Sequence, residues 1–306
     1  MQEYAVTLEA VVKRFNERPV LNGVSYAVPC GQIFALLGRN GAGKTTAVNL
    51  MMGLLPADEG CMQVLGMDPA KDGARIRQRV GFVAEDAEMF GWMSIRQITK
   101  FLKPFYPEWD PELVQHLVDQ FALEEEMKIR SLSKGQKTRL ALILAAAHRP
   151  SLAILDDPTL GLDSISRKEF IREVIGQWQT RGVTVIYTSQ LLYEVEAMAD
   201  AVAILDRGRI VCHRDVEALQ QQVKQLIFLR PDEPFLADVP NLLDVQNLGN
   251  QVSLIVDDVE SALKFLEAHL VKPDVVDLNL EAIFEAFVAG CRSERHDPHA
   301  VMERVA

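Results

Sequence analysis

The sequence has few cysteines and no long apolar run. Its four cysteines, Cys30, Cys61, Cys212 and Cys291, are widely separated and include no Cys-x-x-Cys pair. This spacing supports neither a disulfide framework nor a zinc site, so we expect a reducing cytoplasm. The longest apolar run, residues 140–147, is far shorter than a bilayer span. Any role at a membrane would therefore depend on a partner protein.

Positive charge is also scarce. Lysine and arginine number 32 against 43 aspartate and glutamate residues, which gives a formal net charge of −11. Bulk binding of nucleic acid requires a basic face, so we expect no nucleic-acid partner. Residues 1–12 contain no basic region followed by an apolar one, and we expect no signal peptide there. At 306 residues the chain is long enough for two domains.

Strand-like and helix-like segments alternate over the first two thirds of the chain, which predicts an α/β domain. We place this domain at residues 1–217, with a mainly helical subdomain at about 88–150. Beyond it, prolines interrupt the chain before one strand-like and two helix-like segments. These predict a small α+β accessory domain at residues 223–290. Residues 291–306 are mostly polar, and we expect a disordered tail.

A glycine-rich loop follows the short apolar run 33–37, which has the composition of a strand buried on both faces. The loop fits the pattern G-x-x-x-x-G-K-[ST], in which main-chain N–H groups and a helix N-terminus bind phosphates. We expect Lys44 to reach the β- and γ-phosphates and the Thr45 hydroxyl to bind Mg²⁺. A plain turn between a strand and a helix would need neither residue. The predicted nucleoside triphosphate site comprises Gly38, Arg39, Asn40, Gly41, Ala42, Gly43, Lys44, Thr45 and Thr46.

Two adjacent carboxylates, Asp156 and Asp157, end another buried-strand candidate. We expect Asp156 to bind Mg²⁺ directly or through water, and Asp157 to orient and polarise the attacking water. Acidic residues at a strand end can also act only as helix caps. Together with the phosphate loop, the pair favours a catalytic function.

A capping box opens the helix predicted over residues 137–148. Ser133 and Gln136 form an S-x-x-Q pair, in which each side chain bonds the backbone N–H of the other residue. The start of such a helix also carries spare N–H groups and a positive dipole. This helix start is therefore suited to the γ-phosphate of a nucleotide bound by another subunit.

Over residues 8–211 the chain resembles an ATP-binding cassette (ABC) ATPase. Leu-Ser-Lys-Gly-Gln at 132–136 is similar to the family signature Leu-Ser-Gly-Gly-Gln, and Gly-Leu-Asp at 161–163 matches the family's dimer-contacting loop. Phe15 matches the aromatic on which adenine stacks, although a core phenylalanine after a strand is the alternative. Glu85 occupies the family's glutamine-loop position. The resemblance implies a P-loop NTPase fold with a mixed sheet core and a helical signature subdomain.

The resemblance also implies a function. It indicates an ATP-binding and ATP-hydrolysing subunit that uses ATP and Mg²⁺, and that pairs with itself or with a related ATPase. Each ATP would lie between the phosphate loop of one subunit and Ser133, Gly135 and Gln136 of the other. A separately encoded integral membrane permease, of exporter type, would hold the protein on the inner face of the cell membrane. The apolar residues Phe90, Trp92 and Met93 would form either the docking face or core.

Three positions depart from the family pattern where the chemistry occurs. Asp157 replaces glutamate, which withdraws the carboxylate by about 1.5 Å, and a displacement of that size can cost about 100-fold in rate. Gln190 replaces a histidine, and an amide carries neither the proton nor the charge of imidazole. Glu85 replaces glutamine near the expected Mg²⁺, so it is both a catalytic and a metal-binding candidate. We predict an intact ATP site with weakened hydrolysis; the alternative is normal turnover.

Two other functions stay open at this point. One is a soluble ABC-type ATP switch that acts without transport. The other is an ATP-binding scaffold that scarcely hydrolyses and only regulates a partner. The chain contains one cassette and no long coiled coil, which favours the transporter subunit over the soluble switch.

Overall fold

The chain folds into two compact units that divide between Ile210 and Val211. The computed structural model describes residues 3–85, 88–158, 176–189, 192–229 and 235–290. The predicted domain limits and the predicted disorder of residues 291–306 stay predictions, and that tail lies outside the described residues.

The elements follow in chain order. The first nine strands are β1 (Tyr4–Phe15), β2 (Arg18–Pro29), β3 (Ile33–Leu37), β4 (Glu59–Val64), β5 (Val80–Val83), β6 (Leu152–Asp156), β7 (Thr184–Ser189), β8 (Ala201–Asp206) and β9 (Arg209–Asp215). The helices of the first unit are α1 (Lys44–Met51), α2 (Pro69–Arg77), α3 (Ile95–Leu102), α4 (Pro111–Gln120), α5 (Lys134–Ala146), α6 (Gly176–Thr180) and α7 (Leu192–Glu196). Short 3-10 helices lie at Lys103–Phe105, Ile129–Ser131 and Leu236–Asp238.

A six-stranded sheet forms the centre of the first unit. Its strand order is β5-β6-β7-β3-β8-β9, and the first five strands are parallel. All residues of β3 and β6 are buried, as expected for parallel strands that are covered on both faces. β8 leads to β9 through Arg207 and Gly208, which both have the positive φ of a tight hairpin turn. The carboxyl ends of β3, β5, β6 and β7 therefore lie at one edge of the sheet.

A second sheet of the first unit is antiparallel, in the order β2-β1-β4. β1 and β2 are joined by Asn16 and Glu17, both with positive φ. The two sheets and α1 share one apolar core, which includes Val11, Leu21, Phe34, Leu36, Val48, Met51 and Ile186. A mixed α/β fold with a parallel sheet, as predicted from the alternation of segments, is confirmed.

In the helical part of the first unit, side-chain caps lie at the starts of α3, α4 and α5. Ser94 and Gln97 form a capping box at α3, and Asp110 caps α4 by accepting the N–H of Leu113. The box predicted at Ser133 is confirmed, and it starts α5 at Lys134 rather than at residue 137 because the N-cap itself is Ser133.

The second unit is built around an antiparallel sheet. Its elements are α8 (Val216–Gln222), β10 (Lys224–Leu229), β11 (Leu242–Asn247), β12 (Gln251–Val256), α9 (Val259–Ala268), β13 (Asp274–Asp277) and α10 (Leu280–Ala289). The sheet order is β11-β12-β10-β13. One sheet face packs with α9 to form a core that includes Leu226, Phe228, Val252, Leu254, Val256 and Leu266.

A membrane-spanning helix is absent from the part of the chain that the structure describes, since none of its helices is both long and apolar enough.

Candidate nucleotide-binding site

The loop after β3 begins at Gly38 and ends at Gly43, and close contacts at both positions leave no room for a side chain. A Cβ atom on Gly38 would lie 2.6 Å from a carbonyl oxygen of β8. Gly43 has φ 112°, which L side chains rarely adopt, and its Cβ would lie 2.7 Å from Cδ2 of Leu21. Between them, residues 39–41 are exposed and Ala42 is buried. Residues 39–41 of the loop therefore lie at the surface, at the end of β3.

Lys44 is a buried cation at the start of α1. Its side chain is 6% exposed, and its ammonium donates a hydrogen bond to the carbonyl oxygen of Gly38 over 2.9 Å. The same Nζ lies 3.8 Å from Oδ2 of Asp157, whose side chain is also buried. Burying an ammonium is costly unless it is paired, and these two contacts reduce that cost. Thr45 is exposed at the start of the helix, and Thr46 is half-buried.

The two carboxylates that follow β6 are tied to Thr188 of β7. The Thr188 hydroxyl donates to Oδ1 of Asp156 over 2.6 Å. The N–H of Asp157 lies 3.1 Å from both the carbonyl oxygen and the hydroxyl oxygen of Thr188. Asp157 has φ 43°, a left-handed conformation that aspartate tolerates better than most residues. The left-handed turn brings the Asp157 carboxylate to Lys44.

Strand order decides which candidate residues meet. β6 lies two strands from β3, or about 10 Å at the usual spacing, and the side chains of Lys44 and Asp157 together bridge that gap. Glu85 follows β5, which is three strands from β3, or about 14 Å. Its exposed side chain lines a cavity of about 660 Å³ with Lys134 and Lys137. Glu85 therefore shares a cavity with the first turn of α5.

The start of α5 lies at the surface. Ser133 is exposed, and Gly135 and Gln136 are half-buried. The Ser133 hydroxyl accepts the N–H of Gln136 over 3.2 Å, while the Gln136 side-chain oxygen accepts the N–H of Ser133 over 2.9 Å. These bonds fix the direction in which the helix leaves the preceding loop.

Phe15 is a surface residue. Its side chain is 45% exposed, so the alternative of a core phenylalanine is wrong. It is the last residue of β1, directly before the two-residue turn, and Nζ of Lys13 lies 5.7 Å from the centre of its ring. An exposed ring at a strand end has a face available for stacking.

Four exposed aromatic side chains form a contiguous strip in the helical part. They are Phe90, Trp92, Phe101 and Phe105, and we call them the aromatic strip. The ring of Phe90 lies 6.1 Å from that of Trp92 and 5.6 Å from that of Phe101, and the rings of Phe101 and Phe105 are 5.5 Å apart. Trp92 is the most exposed of the four, at 64%. Met93, in contrast, is buried and belongs to the core.

Two predicted features lie outside the described residues: Gln190 and the loop at 161–163. Thr188 contacts both carboxylates and was not predicted as a site residue, although it could have been found as a polar residue within a buried strand.

The geometry of the site defines a class of protein. In the parallel sheet, β3 is followed by a loop with a glycine at each end, a buried lysine and a helix. β6, two strands from β3, is followed by two carboxylates. This arrangement is typical of phosphate-loop nucleotide-binding proteins.

Comparison with known proteins narrows the class to one family. The family model for ABC transporters matches residues 21–160. The ABC transporter ATP-binding protein YtrB of Bacillus subtilis is 28% identical over 296 residues, which span 94% of this chain and 99% of YtrB. The daunorubicin resistance ATP-binding protein DrrA2 of Streptomyces coeruleorubidus is 33% identical over 228 residues, or 73% of this chain and 70% of DrrA2.

The fold agrees with solved cassettes. A dimeric ATP-binding cassette, bound to ADP and Pi after hydrolysis, is similar with a TM-score of 0.62 at 20% identity, over 69% of this chain and 98% of that one. The chain therefore belongs to the ABC transporter family as an ATP-binding subunit, and it is an ATPase of this class. The resemblance inferred from the motifs is confirmed.

Proposed function

We propose that the chain binds ATP at residues 38–46 and hydrolyses it within an ATP-closed dimer that drives export through a separate permease. The observation that carries this proposal is the buried Lys44, held between the Gly38 carbonyl and the Asp157 carboxylate. Relatives named for linearmycin and daunorubicin resistance support export as the direction of transport.

The phosphate loop supplies the binding energy in this proposal. Main-chain N–H groups of residues 39–43 and the start of α1 bind the phosphates, since both present positive partial charge. The 3.8 Å separation between Lys44 and Asp157 exceeds a hydrogen bond. The ammonium gives up one hydrogen bond, to the Gly38 carbonyl, when it turns to a phosphate oxygen, with which it forms a stronger, charge-assisted bond.

The residues present also fit Mg²⁺. This ion is usually held by one or two carboxylates together with substrate phosphates, rather than by a cage of protein ligands alone. The exposed Thr45 hydroxyl and the Asp156 carboxylate, oriented by Thr188, are the proposed ligands. Glu85 is a more distant candidate, because β5 lies three strands from β3. When bound, the ion neutralises phosphate charge.

A second subunit completes the site in this proposal. The Ser133 end of α5 is exposed and carries the positive end of a helix dipole. The similar cassette that was solved with ADP and Pi is a dimer, which supports such an arrangement. The second subunit is either another copy of this chain or a related ATPase.

We propose that hydrolysis is slower than in a family member with glutamate and histidine at positions 157 and 190. The Asp157 carboxylate faces Lys44, and it lacks the methylene that would carry it further toward an attacking water. Gln190 can bond a γ-phosphate through its amide but cannot accept a proton at neutral pH. The weakened step is therefore proton handling, while ATP binding stays intact.

The aromatic strip is the proposed contact with the permease. Exposed apolar patches of this kind mark interaction sites, and aromatic residues are enriched in interface cores. Through this contact the protein would be cytoplasmic and peripheral on the inner face of the cell membrane.

ATP-dependent association tests the proposal. Light scattering of the Asp157→Asn variant with MgATP should detect a dimer, because slowed hydrolysis preserves the closed state. A Lys44→Ala, Asp157→Asn double variant is the control and should stay monomeric. Failure of the protein to retain nucleotide or to associate would contradict the proposal.

Membrane fractionation of native cells tests the transport assignment. Replacing Phe90 and Trp92 with serine should release the protein from the membrane fraction, whereas Leu54→Ser, an exposed apolar position outside the strip, should not. A wild-type protein that binds ATP yet never sediments with membranes would favour the soluble ATP switch.

A further inference from the structure

Asp58 holds the end of β1 through three consecutive residues. Its Oδ1 accepts a hydrogen bond from Lys13 Nζ over 2.9 Å, and its Oδ2 accepts the N–H of Arg14 over 2.5 Å. Its own N–H donates to the carbonyl oxygen of Val12 over 2.9 Å. The bonds from Lys13 and from the Arg14 backbone also hold the pKa of the Asp58 carboxyl below its usual range. Asp58 therefore stays charged at neutral pH, and the contact persists.

Lys13 is almost fully buried, at 8% exposure, which is unusual for a lysine. Buried lysines are rare unless paired. Its pairing with Asp58 resolves that cost and fixes the ammonium 5.7 Å from the centre of the Phe15 ring. The ring therefore rests beside a fixed cation, in the range where a cation attracts an aromatic face.

The same strand end is anchored to the phosphate loop. Lys13 pairs with Leu21 across the β1–β2 hairpin, and Leu21 packs against Gly43 so closely that a Cβ there would clash. Phe15 lies two residues beyond Lys13, about 7 Å along the strand. The contacts of Lys13 thus set the position of the Phe15 ring relative to the loop.

We propose that Asp58 and Lys13 are positioning residues that hold Phe15 ready to stack on the base of the bound nucleotide. The proposal rests on the ATP site proposed above and deepens it. An exposed ring at a strand end loses conformational freedom when a base stacks on it, and a ring already held in place loses less. Without this restraint, the base contributes less to affinity while the phosphate contacts are unchanged.

Two ligands distinguish the contribution of the base to affinity from that of the phosphates. They are MgATP and magnesium tripolyphosphate, which has no base. Lys13→Met and Asp58→Asn should each weaken MgATP binding on the order of 3- to 10-fold, a fraction of the loss of stacking itself. Phe15→Ala should weaken it more. Tripolyphosphate affinity should change less than about twofold in all three variants, since its contacts lie in the loop. In turnover, KM for ATP should rise while kcat stays within about twofold.

Matched controls lie on the same two strands. Arg14 and Glu59 form a neighbouring exposed ion pair at 2.8 Å, so Arg14→Met and Glu59→Gln remove a pair without touching Lys13. Neither should alter MgATP affinity. Lys13→Arg keeps the charge and the hydrogen bond, and it provides a folded variant that should bind MgATP as the wild type does.

The outcomes are distinguishable. MgATP affinity that is unchanged in Lys13→Met and Asp58→Asn, or that falls in parallel with tripolyphosphate affinity, would overturn the positioning role. So would a Phe15→Ala variant that binds MgATP normally. If the wild type bound neither ligand, the ATP site itself would be wrong instead.

Discussion

Two cations, one in each unit of the molecule, are paired in different ways. In the first unit, Lys44 has one carbonyl at hydrogen-bond distance and a carboxylate at 3.8 Å, beneath an exposed loop. In the second, the Arg214 guanidinium donates two hydrogen bonds, of 2.5 and 3.2 Å, to the two carboxylate oxygens of Asp257. A cation paired so completely serves the fold, whereas one held more loosely at a loop can exchange its partner for a ligand.

The parallel sheet explains the setting of Lys44. In the parallel sheet, the strand ends that carry the loop, Asp156 and Asp157 lie at one edge, so polar groups from distant parts of the sequence converge. In the antiparallel sheet, successive strand ends alternate between opposite edges. There, the Ser253 hydroxyl of β12 accepts the Gln225 amide of the neighbouring strand β10 over 2.8 Å.

The largest expected effect is at Lys44. Lys44→Ala should lower ATP turnover by about 100-fold or more, because it removes a charge aimed at the transferred phosphoryl group. Phosphate release measures it, and thermal unfolding of the same variant should stay close to the wild type. If the variant kept wild-type turnover, Lys44 would have only a structural role, as we expect for Arg214.

A gain of function is the next largest effect. Asp157→Glu together with Gln190→His should raise turnover by up to about 100-fold, since a displacement of one bond length can cost that much. Each single variant should give less. Phosphate release at saturating MgATP is the measurement, and an unchanged rate would mean that the native site already compensates.

Arg214→Met should act on stability alone. The substitution removes two charge-assisted hydrogen bonds from the buried Asp257 carboxylate; because Arg214 is partly exposed, we discount the usual cost to about 1–3 kcal/mol. Denaturant unfolding measures this loss, and turnover per folded molecule should be unchanged at temperatures below the transition. A fall in turnover without a fall in stability would contradict the purely structural role of the pair.

A pH effect is the smallest. His148 is buried against Tyr106, with ring centres 4.2 Å apart, and burial lowers the pKa of its imidazole. Stability from the neutral ring is therefore complete above the unfolded pKa near 6.5 and declines as pH falls below it, by at most about 1.4 kcal/mol per pH unit.

His148→Phe should preserve the stacking on Tyr106 and reduce the loss of stability at acid pH. The free energy of unfolding, compared at pH 7.5 and 5.5, measures this loss. The matched control is His269 in the second unit, an exposed imidazole that stacks on Phe235 at 4.4 Å. His269→Phe should leave the acid loss in place. Equal pH dependence of the wild type and His148→Phe would contradict the assignment.

Local sequence determined the parts of the site that lie within one loop or one helix turn. Gly38, Gly43 and Lys44 follow a fixed spacing, and Ser133 with Gln136 forms its box across three residues. Contacts between strands are harder to predict from the sequence. Thr188 meets Asp156 only because β6 and β7 pair in that register, and the order of strands, which the sequence does not reveal, separates Glu85 from the phosphate loop.

The second unit was harder to predict for a related reason. Its strand β13 is exposed at all four residues, so it has no alternation of apolar and polar positions. Its pairing with β10 depends on tertiary contacts. The similarity to YtrB spans 94% of this chain and so extends into this unit.

Nucleotide binding is the most direct test of the account. Calorimetric titration of MgATP should give saturable binding to the wild type and at least about 100-fold weaker binding to Lys44→Ala, since a charge-assisted phosphate contact is lost. Equal affinity in the two proteins, or no binding to the wild type, would contradict the central claim that Lys44 and its loop hold a triphosphate.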